Sequence, residues 1–295
     1  MQAIAFCPGH ITGFFKAEID ERRPELQGSI GAGFCIKEGV TTRINVSNSE
    51  KPSFKIKVTG YQSDNTQVSE FVIGEFFNLV KENYFVDVEH QIEIPVGYGL
   101  GSSGAVALSL AFALNKALQT NLSRTQIGQI AHKAEIFCKT GLGTVLSSYH
   151  GGFEIRTIPG APGIGSLRKI HIDSSAMVIC FSPISTKKFI KNDLSKINGL
   201  GGKMVDKLIK SRDYQEFLDM SLEFAKYVNV ITPKMYTVIK DLQKNGFKCG
   251  VAMFGETVFT LIPKSKEEQV VKIFKKYDDG IMIKSSIDTS GARVS

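Results

Sequence analysis

Hydrophobic positions along the first third of the chain mark strand-like runs at residues 2–6, 33–46, 53–58 and 86–94, with one helical stretch over 69–82. A long helix is predicted over 106–118. A second opens at Ser123-Arg124-Thr125-Gln126, which has the form of a capping box, and carries Ile127, Ile130, Ala131, Ala134, Phe137 and Cys138 at helical spacing. These give one apolar face, with Glu135 at its margin. Gly141-Leu142-Gly143 and Gly151-Gly152 break the pattern, and residues 158–165 read as a loop near a domain boundary.

Beyond that loop the chain changes character. Residues 176–181 read as a strand, and 187–197, 202–209, 214–228 and 233–244 as helices. The end is predicted as a strand, a hairpin turn at Gly255-Glu256, a strand to Ile262, a helix capped by Ser265 with Glu268, and a strand over 281–285. This ending fits an α+β sandwich with an antiparallel sheet.

Between the run 86–94 and the helix 106–118 lies Pro95-Val96-Gly97-Tyr98-Gly99-Leu100-Gly101-Ser102-Ser103-Gly104-Ala105. Glycines and hydroxyls are thus concentrated where a helix begins. Glycines let a phosphate approach the backbone, while first-turn N–H groups, lacking intrahelical partners, carry the positive end of the helix dipole. A nucleotide polyphosphate is the expected ligand. No Lys follows the glycines as in a P-loop, and their spacing is not that of the dinucleotide fingerprint. Ser102 and Ser103 also suit N-cap hydroxyls.

Composition narrows the class without changing this reading. The 295 residues are 42% hydrophobic and 22% charged, as in ordinary globular proteins, and allow two modest domains. No run approaches the roughly 18 apolar residues of a membrane span, and no secretory signal opens the chain, so the cytoplasm is the expected location. Five cysteines, at 7, 35, 138, 180 and 249, show no C-x-x-C spacing and read as reduced core residues. The net charge of +7 is dispersed rather than gathered into a basic stripe, which points to steering of small anions and not to nucleic acid.

The glycine run resembles the phosphate loop of the GHMP kinase superfamily of galactokinase, homoserine kinase, mevalonate kinase and phosphomevalonate kinase. Three further segments match in order and approximate spacing. Cys7-Pro8-Gly9-His10-Ile11-Thr12-Gly13-Phe14-Phe15 resembles the family's Ala-Pro-Gly-Lys opening, with His10 in place of Lys; Ala134-Glu135 resembles its Ala-Glu; Met253-Phe254-Gly255-Glu256-Thr257-Val258-Phe259 resembles its C-terminal Gly-x-Gly-x-Thr-Val/Leu-Phe. Within the superfamily, Pro8 to Phe15, Gly28-Ser29-Ile30-Gly31-Ala32-Gly33, Thr140-Gly141-Leu142-Gly143 and Gly160-Ala161-Pro162-Gly163 are most similar to the archaeal pantoate kinases.

The resemblance implies an α+β GHMP kinase fold, with a ribosomal-protein-S5-like α/β ATP-binding domain over 1–166 and a ferredoxin-like α+β domain over 167–295. It implies a cytoplasmic phosphotransferase that uses ATP and Mg²⁺ to phosphorylate pantoate to 4-phosphopantoate in coenzyme A biosynthesis, with no nucleic-acid or membrane partner, and it allows a homodimer. The nucleotide would lie on Pro95, Gly97, Gly99, Leu100, Gly101, Ser102, Ser103, Gly104 and Ala105, closed over by Gly255 and Thr257. Ser103 and Glu135 would hold Mg²⁺. The acceptor would meet His10, Thr12, Ser29, Gly31 and Arg156, whose guanidinium suits a carboxylate, with Arg22 and Arg43 as weaker candidates. The amides of 28–33 are further candidates for the acceptor.

One departure matters. Many members place a catalytic Asp where this chain has Thr144, and a Thr hydroxyl cannot act as a carboxylate base. Phosphoryl transfer depends mainly on positioning and charge stabilisation, so Thr144 suffices if it orients the alcohol; alternatively His10 takes the proton. Two other readings stay open: another activity of the superfamily (homoserine or mevalonate-type kinase, or diphosphomevalonate decarboxylase), and a catalytically silent nucleotide-binding regulator.

Overall fold

Two long antiparallel strands, β1 (Gln2–Glu18) and β2 (Gly28–Asn48), form the spine of the first sheet. The computed structural model describes residues 1–19, 23–184 and 194–295. β1 runs well past the predicted end at residue 6, because register shifts at Pro8/Gly9 and Thr12/Phe14 absorb a proline and a glycine that would otherwise stop it. β2 likewise begins at Gly28 and not at residue 33. Its Gly31–Phe34 stretch is flanked by β1 and by β5 (Phe153–Ile158), so the ladders occupy these backbone groups and the expected amide donors of 28–33 are not a free loop.

The first sheet is completed by β3 (Ser53–Gly60), β4 (Tyr84–Ile92), β6 (Ser166–Ile170) and the two-residue β11 (Arg293–Val294), in the order β11-β1-β2-β4-β3, with β5 paired to β2 and β6 to β5. β3 and β4 are parallel and joined by helix α1 (Gln67–Phe77). Helices α2 (Ser102–Leu118), α3 (Arg124–Phe137) and α4 (Thr144–His150) follow. The capping box of α3 forms as read: the Gln126 N–H donates to Ser123 Oγ at 3.3 Å, and the Ser123 N–H to Gln126 Oε1 at 2.9 Å. Its buried face is rotated from the predicted one. Phe137 is exposed, whereas Gly128, His132 and Glu135 are buried beside Ile127, Ala131 and Ala134.

The second sheet is antiparallel, in the order β10-β7-β9-β8, from β7 (Ser175–Pro183), β8 (Gly250–Val251), β9 (Gly255–Ile262) and β10 (Ile281–Ser286). Of the helices that follow, α5 (Leu194–Ser211) lies against β1 and β2 of the first sheet, α6 (Tyr214–Tyr227) touches both sheets, and α7 (Pro233–Lys244) and α8 (Glu267–Phe274) pack on the second. The helices read at 187–197 and 202–209 are one helix from Leu194; residues 187–193 lie outside the described residues. The turn before β9 sits at Met253-Phe254, ahead of the predicted Gly255-Glu256. Ser265 does not cap α8: it lies in a 3-10 turn over Lys264–Lys266, and no side chain caps the helix.

The α+β class is as expected, with two sheets. A cluster of phenylalanines joins them: the Phe217 ring of α6 lies 6.0 Å from Phe14, 4.9 Å from Phe153 and 5.9 Å from Phe259, centroid to centroid. Gly13 makes room for that ring, since a Cβ there would stand 2.6 Å from Phe217. This shared core fixes β9 against the loop before α2. All five cysteines are free thiols, four of them buried. Among the described residues no helix is long and apolar enough to cross a membrane.

Candidate active site

Three left-handed glycines, Gly97 (φ 87°), Gly99 (φ 80°) and Gly101 (φ 72°), coil the run after β4 into a cradle at the start of α2. Gly101 is the N-cap, and no side chain caps the helix. Ser102 and Ser103 therefore stand inside the first turn and do not cap it, which leaves first-turn N–H groups for an anion.

Three distant segments close around this cradle. The His10 N–H donates to Leu100 O at 2.9 Å, and the Met253 N–H donates to Thr12 O at 3.0 Å. Thr257 Oγ1 donates to Tyr98 O at 2.8 Å, while a Cβ on Gly255 would fall 1.9 Å from that same oxygen, so only glycine lets β9 lie against the loop. Thr144, the first residue of α4, packs its methyl where Cβ atoms on Gly101 and Gly104 would be, at 2.7 and 2.9 Å.

The resulting cleft is lined by His10, Thr12, Ser29, Gly97, Gly99, Leu100, Gly101, Ser102, Ser103, Gly104 and Thr144 of the expected residues, together with Phe15, Leu142, Met253 and Phe254. Pro95 and Ala105 are buried behind the loop. Gly255 and Thr257 touch the loop's back, as described. Gly31 pairs with Phe15 and Arg156 in the sheet and lies outside the cleft lining. Arg43 is exposed on the outer sheet face, donating to Gln91, and Arg22 lies outside the described residues.

A second pocket, of about 130 Å³, shares Ser102, Ser103 and Thr140 with the cleft. Its walls are largely apolar, from Ile56, Val58, Val68, Ile92, Val96 and Val106, with Asn65, Ser69 and His90 as polar groups. Ser69 Oγ lies 3.0 Å from His90 Nε2, and Thr42 Oγ1 lies 2.8 Å from Nδ1. Burial lowers His90 to about 4, so the ring is neutral near pH 7. Sequence patterning gave no signal for this pocket, whose residues come from β3, α1, β4 and α2.

Glu135 stands behind the wall formed by 140–144. It is 1% exposed, a Cβ on Gly141 would meet its Oε1 at 2.4 Å, and the Val145 N–H reaches its Oε2 at 3.4 Å. Burial pushes it up to about 7, opposed by hydrogen bonds from Val145 and Thr144 and by the Arg156 charge. A buried carboxyl held up in this way favours a nearby cation. Glu135 and the Ser103 hydroxyl are hard oxygen donors of the kind Mg²⁺ takes. Among the described residues no group of three or more His, Cys, Asp or Glu side chains lies close enough to hold a metal by itself.

Arg156 is fully buried beneath the cleft floor. Its Nη1 donates to Glu154 Oε1 at 2.5 Å and to Ser147 Oγ at 2.8 Å, while its Nε has no partner. A Cβ on Gly143 would meet that Nε at 3.1 Å and Ser29 Oγ at 2.3 Å. Both groups therefore back the same stretch of cleft wall. Glu154 also accepts from His10 Nε2 at 2.8 Å. Glu154 and Ser147 were not among the sequence candidates; the available signal was that Glu154 and Arg156, two apart on one strand, share a face.

The chain belongs to the GHMP kinases: the GHMP kinases N terminal domain matches residues 71–152 and the GHMP kinases C terminal domain matches residues 204–279. It is 35% identical over 276 residues to the pantoate kinase of Methanocaldococcus jannaschii, covering 92% of this chain and 96% of that protein. It is 30% identical to the pantoate kinase of Methanospirillum hungatei, covering 98% and 95%. A solved structure described as a phosphotransferase related to the coenzyme A biosynthesis pathway superposes with a TM-score of 0.90 at 25% identity, covering 100% of this chain and 99% of that one.

Proposed function

We propose that this protein is an ATP-dependent pantoate kinase, which transfers a phosphoryl group to the terminal hydroxyl of pantoate to give 4-phosphopantoate in coenzyme A biosynthesis. The observation that carries the reading is a phosphate-loop cleft whose other wall is built from His10, Thr12, Ser29 and Thr144, in a chain similar to pantoate kinases over nearly its whole length.

The polyphosphate lies on the loop glycines and the start of α2, and the base occupies the apolar pocket reached past Ser102 and Ser103. GHMP kinases use ATP with Mg²⁺; here Ser103 and Glu135 would hold the metal, which when bound neutralises charge on the β- and γ-phosphates. The acceptor carboxylate lies against Ser29 and the wall backed by the Arg156 guanidinium. Because Arg156 is already paired with Glu154, it acts through its charge and its unpartnered Nε, not as the free bidentate fork that the sequence suggests. Thr144 orients the attacking hydroxyl. As its oxygen bonds to the γ-phosphorus, the bond from that phosphorus to the β,γ-bridging oxygen breaks and ADP leaves. The loop amides stabilise the charge on the transferring group, and alignment supplies most of the acceleration.

The two-domain division, 1–166 and 167–295, is part of the same proposal; the chain passes from the first sheet to the second between Ile170 and Ser175. Purified protein with ATP and Mg²⁺ should release ADP with pantoate and not appreciably with homoserine, mevalonate or phosphomevalonate. Faster turnover of another acceptor would overturn the pantoate assignment, and no turnover with any would leave a nucleotide-binding regulator.

A further inference from the structure

Thr144 leaves this site without a carboxylate at the position where many of its relatives carry one, but His10, which lines the cleft, is paired with a carboxylate buried behind it. His10 is 1% exposed and sits on β1 against the phosphate loop. Its Nε2 lies 2.8 Å from Glu154 Oε1, and a Cβ on Gly33 would stand 2.6 Å from Nε2 and 2.9 Å from Cε1. That edge of the ring therefore faces the protein interior. Nδ1, across Cε1 from Nε2, lies 3.4 Å from the hydroxyl of Thr12, and both residues line the cleft.

We propose that Glu154 is a positioning residue that fixes His10 with its Nε2–H turned inward, so that Nδ1 faces the cleft as proton acceptor for the attacking hydroxyl. This rests on the kinase reading above. The tautomer follows from hydrogen-bond chemistry: an ionised carboxylate only accepts, so Nε2 carries the proton and Nδ1 keeps its lone pair. At 3.4 Å the Thr12 hydroxyl holds that lone pair weakly, and an acceptor hydroxyl can displace it. When the new oxygen–phosphorus bond forms and the bond to ADP breaks, the proton of the alcohol passes to Nδ1. The imidazolium is then held against the Glu154 carboxylate and returns its proton to water after product leaves.

The charged groups facing the ring are Glu154 and Arg156, both from β5. From β2, opposite His10, comes Cys35, whose thiol burial keeps protonated, and α4 contributes the neutral Ser147, 3.0 Å from Glu154 Oε1. Burial lowers the His10 pKa, the hydrogen bond and charge of Glu154 raise it, and Arg156 lowers it further. Loss of the Glu154 charge should thus move the acid limb of the rate profile to lower pH. A merely structural residue would leave that limb in place.

The test combines two measurements. Nitrogen-15 NMR of histidine-labelled wild-type protein, without substrate, should show His10 near neutral pH as the neutral tautomer protonated at Nε2; a ring protonated at Nδ1 overturns the proposal. Glu154→Gln, checked for ATP binding, should lower kcat at least tenfold with KM for ATP little changed and shift the acid limb downwards, with partial recovery in Glu154→Asp. An acid limb that stays in place also overturns it. If Glu154→Gln does not fold, His10→Ala replaces it: kcat should fall about a hundredfold or more and added imidazole should restore part of it, and a smaller loss refutes the proposal. Because the NMR measurement needs no acceptor, failure of the pantoate assignment and failure of this proposal are separable.

Discussion

Gly255→Ala is the substitution in which fold and proposed function meet most directly. A Cβ at this position would stand 1.9 Å from Tyr98 O, 2.0 Å from Tyr98 C and 2.7 Å from Gly99 N. Ordinary contact begins near 3.4 Å, so the first of these is about 1.5 Å too close, and every atom involved is backbone. No rotamer change relieves the contact. Either β9 or the phosphate loop must shift, stretching the 2.8 Å bond from Thr257 Oγ1 to Tyr98 O. Overpacking of this kind costs about 1 to 3 kcal/mol, which at about 1.4 kcal/mol per tenfold is about 5- to 150-fold in an equilibrium constant. The phenylalanine cluster anchors β9, so the loop should yield, and the loss should appear mainly in the dissociation constant and KM for ATP. Isothermal titration with a non-hydrolysable ATP analogue, a coupled ADP-release assay and a thermal melt measure the three quantities. Gly74→Ala is the control: that Cβ would meet nothing within 4 Å in the interior of α1, and should stabilise by about 0.5 to 1 kcal/mol. Wild-type ATP affinity and turnover in Gly255→Ala would refute the idea that β9 holds the loop in place.

Glu135→Gln should lower the rate severely while the protein remains folded, because it removes charge from the proposed metal site at almost constant size; near wild-type turnover at saturating Mg²⁺ would show that Glu135 is only a helix residue. Thr144→Ala should reduce kcat only about tenfold, as expected for loss of one orienting hydrogen bond worth about 1 to 1.5 kcal/mol, and a hundredfold fall would give Thr144 a larger part in the chemistry. The stability of the ligand-free protein should carry the mark of Glu135, which burial raises from 4.5 to about 7. Between those values the folded protein keeps a proton that the unfolded chain releases, so this contribution is full below the lower value and declines as pH rises, by up to about 1.4 kcal/mol per pH unit. The lowered His10, His90 and His132 act with the opposite sign over an overlapping range, so the informative quantity is wild type minus Glu135→Gln in urea melts over about pH 4 to 8. A flat difference would contradict the buried, protonated state.

The local structure of this protein was legible in its sequence, because short-range rules govern it. Glycines before an apolar helix mark a tight left-handed coil at a helix start, Ser123 with Gln126 marks a capped helix, and scattered cysteines without paired spacing mark free thiols. Each depends on residues a few positions apart and on backbone geometry that propensity controls. The order of the motifs then identified the kinase fold before any contact was known. What the sequence missed depends on neighbours brought from far along the chain. β1 reads as ending at residue 6, because Pro8 stops a strand unless a bulge and a long partner carry it onwards, and that partner is β2. Glu135 looks marginal on a helical wheel; the segment 141–145, folded over it, buries it. Arg156 looks like a free fork until β5 places Glu154 on the same face. The pairing of His10 with Glu154 joins residues 144 positions apart in the chain. A pattern of hydrophobic and polar positions specifies which face of an element is buried, but which charged groups meet there is decided by sheet register, and register is a property of the assembled fold.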